Sequence, residues 1–187
     1  MSTVWSLQVI VLNGGSSSGK SSIARALQEI LPGIWLTFGV DTFIAALPGG
    51  GDSSKAGITF EQGGTITFST EHRALERSWY TGLSATARAG AHLILDEVLL
   101  SGDAGQERIR STFADVDLIW VGVHCDSDVA VSRESQRLDR VEGMARQQAL
   151  SVHAGVFYDI EVDTTNRSTD DCARDIASQL SPDALPR

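Results

Sequence analysis

The sequence predicts an α/β domain of three layers, with helices on both faces of a five-stranded parallel sheet. Three observations carry that expectation. Apolar, β-branched runs recur at residues 8–13, 35–40, 92–96, 118–124 and 157–162, each a continuous run of the kind that suits strands buried on both faces. Stretches of helical periodicity alternate with them. A glycine-rich loop joins the first run to the first helical stretch. At 187 residues the chain is long enough to bury a core as one domain, spanning residues 1–187.

Taken in order, the first helical stretch, 21–31, places Ile23, Leu27 and Ile30 on one face and stops at Pro32-Gly33. The second apolar run ends in Phe38-Gly39-Val40-Asp41, where Asp41 is expected to close the strand and cap a short helix over 42–47. Residues 58–68 alternate apolar and polar on either side of Gly63-Gly64, which predicts a two-stranded hairpin within an insert of about 56–69. Either it packs as an edge ornament, or its apolar side chains wall a pocket. A long helix over 71–89 carries Leu75, Trp79 and Leu83 on one stripe, with Gly90 as its C-terminal cap. His153 is expected inside a later helix. The last helix follows Ser168, with Asp171 three positions on in a capping-box arrangement.

Composition narrows the partners. The formal net charge is −9, and the only lysines are Lys20 and Lys55. Nucleic-acid binding rests on clustered Lys/Arg against phosphates, so nucleic acid is not expected as a partner. Mean hydropathy is −0.04. The apolar run ending at Leu12 is too short to span a bilayer, so no membrane partner is expected either. Cys125 and Cys172 lack metal-ligand or redox spacing, which fits a reduced, cytoplasmic setting. Neither a monomer nor a homo-oligomer is selected by these features.

The chemistry concentrates in Gly14-Gly15-Ser16-Ser17-Ser18-Gly19-Lys20-Ser21, which satisfies G-x-x-x-x-G-K-[ST] between a strand and a helix. Glycines let the backbone N–H groups turn inward around phosphate oxygens, and the following helix adds its positive end. Lys20 is expected to bridge the β- and γ-phosphates of ATP, and the Ser21 hydroxyl to complete a Mg²⁺ shell. The strand ending in Asp96-Glu97 fits the Walker B pattern, with Asp96, the first acid off the strand, as the expected second metal ligand. Gly15 to Gly19 also satisfies G-x-S-x-G with Ser17 as a hydrolase nucleophile, but that reading leaves Lys20 and Ser21 unexplained.

Parallel strands deliver their C-terminal ends to one edge, so Asp41 should face the phosphate loop. There a carboxylate could accept the proton of an attacking hydroxyl. Arg133, Arg137, Arg140 and Arg146 recur at helical spacing around Gly143, and a lid over about 133–146 is expected to bring Arg137 and Arg140 to the departing charge. A solvated helix face is the plainer account of the same arginines. Val40, Asp41, Phe60 and Trp79 are the candidates for contacting a small-molecule hydroxyl acceptor. An anionic acceptor would demand arginines nearby, and Arg73 and Arg77 could serve. A guanine-nucleotide switch would need an Asn/Thr-Lys-x-Asp motif, and neither lysine stands in one.

These residues together resemble the chloramphenicol phosphotransferase family. The resemblance runs through most of the chain. It includes Leu12 to Ser21, Phe38-Gly39-Val40-Asp41, Arg88 to Asp96, Trp120-Val121-Gly122-Val123, Arg133 to Met144, and Val152-His153-Ala154-Gly155 to Val162-Asp163-Thr164-Thr165. It implies a P-loop kinase fold of nucleotide-kinase type and a cytoplasmic enzyme of antibiotic resistance. The implied reaction is ATP-dependent phosphorylation of the primary hydroxyl of chloramphenicol, with Asp41 as general base and lid arginines matching Arg137 and Arg140. Where the family pattern has an Asp-Asp pair, this chain has Asp96-Glu97. The alternative function is a metabolic kinase of the same fold for a polyol, sugar acid or nucleotide.

Overall fold

The structure, a computed structural model, describes residues 7–60, 66–135 and 144–180. Five strands form one parallel sheet: β1 (Val9–Asn13), β2 (Trp35–Gly39), β5 (His92–Glu97), β6 (Leu118–His124) and β7 (Ile160–Asp163). Their order is β2-β5-β1-β6-β7, which puts the strand that feeds the phosphate loop at the centre.

Alternation along β1 explains the two helical layers. Ile10 and Leu12 point to one face, where α1 (Lys20–Ile30) and α7 (Thr169–Gln179) bring Ile23, Leu27 and Ile176 against them. Val9 and Val11 point to the other face, against Leu83 of α3 (Thr70–Arg88) and Ile109 of α4 (Asp103–Thr112). All five β1 residues are buried, and this is why the strand reads as an unbroken apolar run.

Local signals behave as their chemistry requires. Gly90 takes φ 99° just beyond α3, a left-handed value that a β-carbon disfavours. Ser69 accepts a hydrogen bond from the His72 N–H at the start of α3, and Ser168 accepts one from the Asp171 N–H at the start of α7. The hairpin pairs β3 (Ile58–Phe60) with β4 (Ile66–Phe68) in antiparallel register; its Gly63-Gly64 turn lies outside the described residues.

Three expectations are corrected. β2 ends at Gly39, so Asp41 does not close the strand and does not cap a helix; it sits in the first turn of α2 (Val40–Ala46), with Gly39 at the cap. The turn comes early because Gly39 lies against the end of β5: a β-carbon there would meet the Asp96 carbonyl oxygen at 2.1 Å. β7 starts at Ile160 rather than at residue 157, because Phe157 is 77% exposed and belongs to the approach loop. α6 (Met144–Ser151) ends before His153, which stands in a turn and hydrogen-bonds the Tyr158 hydroxyl at 2.6 Å. Between β6 and α6 the chain forms α5 (Ser127–Glu134). Among the described residues no helix is long and apolar enough to cross a membrane.

Candidate active site

The phosphate loop occupies the C-terminal end of β1, and its conformation depends on small residues. A β-carbon on Gly14 would meet the Val123 carbonyl oxygen at 2.4 Å, and Gly19 holds φ 94°. Ser17 alone among the non-glycine described residues has positive φ, at 59°. The hydroxyls of Ser16, Ser17 and Ser18 are buried with no hydrogen-bond partner among the described residues. Buried polar atoms left unpaired are costly, and three at one loop mark a place built for an anionic ligand.

Lys20, 6% exposed, donates to the Gly15 carbonyl oxygen at 2.8 Å, and its Nζ stands 3.9 Å from Asp96 Oδ1. Ser21 Oγ donates to Asp96 Oδ2 at 2.5 Å. The structure thus brings the two expected metal ligands together across 75 residues of chain. Hydroxyl and carboxylate oxygens are the hard donors that suit Mg²⁺, which keeps much of its water and asks the protein for only one or two ligands. The loop, Lys20 and the Ser21–Asp96 pair therefore fit MgATP.

Alternation also separates Asp96 from Glu97. Residues 93, 95 and 97 face α3 and α4, whereas Ile94 and Asp96 face α1. Glu97 is 2% exposed and accepts a hydrogen bond from the Tyr80 hydroxyl at 2.8 Å, while its other oxygen has no partner among the described residues. Burial pushes its pKa up to about 8; the charges of Asp96 and Glu76 add to the rise, and the Tyr80 hydrogen bond and Lys20 oppose it. Burial likewise raises Tyr80, followed by the charge of Glu97.

Asp41 lines the same cavity as Lys20, Ser21 and Asp96, a space of about 240 Å³. Its apolar lining is built from Val40, Ile44, Ile58, Ile66, Phe68 and Leu100. The hairpin thus contributes to the wall. Its residue Phe60 pairs with Ile66 in the ladder, and the Phe60 side chain lies outside the described residues. Trp79 is not brought to this wall: its ring packs edge-on against Phe38 at 6.0 Å and tilted against Phe43 at 5.8 Å. Arg137 and Arg140 lie outside the described residues.

A second cavity of about 200 Å³ shares Val40, Ile44, Ile66 and Phe68 with the first. The titratable residues that set it apart include Arg73, Glu76, Arg77, Tyr80, Glu97 and Arg108. Arg73 pairs with Glu76 at 2.9 Å and lies 4.2 Å over the Phe68 ring. Arg108 donates to Ser101 Oγ at 2.8 Å. Sequence reasoning reached Arg73 and Arg77 but missed Arg108, whose helix joins the site only through the tertiary fold. It also missed Gln148, which lines the first cavity from α6 and has no motif around it.

With this geometry in view, the chain can be set beside known proteins. Two Mycobacterium tuberculosis proteins, from strains H37Rv and CDC 1551, are each 29% identical to it over 185 residues, covering 90% of this chain and 80% of theirs; both carry the provisional name O-phosphotransferase. Among solved structures, the Mycobacterium tuberculosis APS kinase superposes with a TM-score of 0.65 at 16% identity, covering 93% of this chain and 97% of that one. Shikimate kinase from Acinetobacter baumannii, in complex with shikimate, gives 0.59 at 17% identity and 97% coverage of both chains. The Deinococcus radiodurans tunicamycin resistance protein gives 0.61 at 22% identity, covering 94% and 96%. These likenesses establish the P-loop kinase fold. The chloramphenicol phosphotransferase-like family matches residues 7–181, and the chain belongs to that family of phosphotransferases.

Proposed function

We propose that this chain transfers the γ-phosphoryl group of MgATP to the hydroxyl of a small molecule, with the primary hydroxyl of chloramphenicol or a related neutral molecule as acceptor. One observation carries the reading. Asp41 shares a single cavity with Lys20, Ser21 and Asp96, and apolar side chains make up much of the rest of its lining.

The acceptor oxygen attacks the γ-phosphorus as the bond to the ADP oxygen breaks, and its proton passes to Asp41. Lys20 exchanges the Gly15 carbonyl for phosphate oxygens, and Ser21 and Asp96 are the residues that would hold Mg²⁺. A Mg²⁺ ion held there would supply positive charge against the phosphates. Apolar residues of α2 and the hairpin exclude water and seat the acceptor body. Arg137 and Arg140 are the proposed cations for the departing charge.

A second reading is favoured by the arginines of the second cavity. Arg73, Arg77 and Arg108 converge from two helices, and such a lining suits a carboxylate or phosphate on the acceptor, as in a metabolic kinase. The test is product formation from ATP and chloramphenicol, with and without Mg²⁺, read by mass spectrometry. A Mg²⁺-dependent monophosphate ester is the expected result. Bound ATP without product would reject chloramphenicol and turn the search to anionic alcohols.

A further inference from the structure

The first cavity holds a buried amide that the reaction above leaves unused. Gln148 projects from α6, is 5% exposed, and lines the cavity together with Ser16, Ser17, Lys20 and Asp96. Its Oε1 accepts the Ser16 backbone N–H at 2.9 Å. That bond fixes the orientation of the amide, because a backbone N–H requires the carbonyl end and not the NH₂ end. Nε2 is therefore the free end, and it makes no hydrogen bond among the described residues.

The contact is close and anchored. α6 lies directly on the phosphate loop, where a β-carbon added to Gly15 would meet Ala149 N at 3.3 Å and Gln148 C at 3.4 Å. Gln148 thus stands on the loop's first turn, held at its carbonyl, with two N–H donors left over. The rest of the cavity is rich in carboxylates, from Asp41, Asp52 and Asp96, and has Lys20 as its cation among the described residues. A fixed neutral donor adds stabilisation to a phosphoryl group without adding to the cost of assembling charges.

We infer that Gln148 is a γ-phosphate-binding residue: the Ser16 N–H aims its amide, and Nε2 donates to an oxygen of the transferred group. The inference rests on the MgATP reading above and assigns a residue to it. The rival account makes Gln148 a brace that only satisfies the loop amide. The two differ in which phosphate feels the residue. A brace supports the whole loop, and with it the β-phosphate that ADP also carries; a γ-phosphate donor is silent toward ADP.

The experiment is calorimetric titration of the full chain with MgADP and with MgAMP-PNP, for wild type, Gln148→Glu and Gln148→Leu. Gln148→Glu keeps an acceptor for the Ser16 N–H and loses the donor, and Gln148→Leu removes both while keeping the bulk. The expected result in both variants is a Kd for MgAMP-PNP raised about tenfold or more beyond any rise in the Kd for MgADP, the scale of a lost hydrogen bond to a charged group. Equal weakening of both nucleotides would establish the brace and overturn the inference. Unchanged affinities would overturn it as well. A wild-type chain that binds neither nucleotide would remove the MgATP reading itself, which is a distinct outcome.

Discussion

Asp41 shows how a residue's role changes when the local frame shifts by two positions. As a helix cap it would have served stability; in the first turn of α2 it lines the cavity beside Lys20 and Asp96. Its residual effect on the helix is a favourable carboxylate at the N-terminal turn, worth roughly 0.3–1 kcal/mol. Asp41→Asn should therefore lower kcat by about 10²- to 10⁴-fold, the usual range for a general base, with little change in MgATP affinity or melting temperature. A variant that melts early yet keeps its turnover would restore the structural role. Lys20→Ala should abolish transfer, since Lys20 is the one lysine that lines the cavity among the described residues, and retained product formation would exclude the phosphate-loop mechanism. The place of Lys20 was legible because its motif is local: strand, glycines, lysine and helix follow one another between Val9 and Ile30; that of Asp41 was legible because parallel strands end at one edge. Gln148 was not, because what gives it meaning is contact with Ser16 across 132 residues of chain.

At the scale of elements, the hairpin and the two helices α3 and α4 line the cavities in which the proposed acceptor would sit. The hairpin was readable from alternation around a glycine pair, and β3 and β4 pair as that pattern requires. Its place against α2 was not readable, since the contact of Gly51 with the Ile44 side chain depends on left-handed turns at Gly49, Gly50 and Gly51. Trp79 illustrates the limit from the other side. A helical stripe shows that a residue faces inward, and cannot distinguish a cavity wall from the packing of Phe38 and Phe43. α3 and α4 carry the arginines of the second cavity, and of these the Arg77 guanidinium makes no hydrogen bond or ion pair among the described residues. Arg77→Ala should raise the KM of a carboxylate-bearing alcohol by roughly tenfold, the scale of a charge-assisted hydrogen bond, and leave that of a neutral alcohol unchanged. Equal KM values for both acceptors in both proteins would return Arg77 to the solvated face of its helix.

Across the whole molecule, the strand count and the parallel sense followed from the alternation of strands and helices, whereas the order β2-β5-β1-β6-β7 did not. Sequence neighbours β1 and β2 are separated by β5, and pairing of that kind is fixed by how the helices cover both faces. The same arrangement buries Glu97 between the sheet and α3, and so ties the stability of the fold to pH. Its pKa is raised from an ordinary 4.5 to about 8, first by burial. Between those values the folded chain holds a proton that the unfolded chain has released, so stability falls as pH rises through the window. His153 runs the other way: burial and then the charge of His124 lower it from 6.5 to about 4, and its contribution is lost as pH falls through that range. Above pH 6.5 the His153 contribution is constant, and the Glu97 slope stands apart from it. Melting curves of nucleotide- and metal-free protein should therefore show Glu97→Gln gaining on wild type as pH rises from about 6.5 to 8, with the Tyr80 hydroxyl still able to donate to the amide carbonyl. Parallel curves across that range would mean that Glu97 is ionised in the folded chain, and that the cavity beside it presents a negative charge to any acceptor.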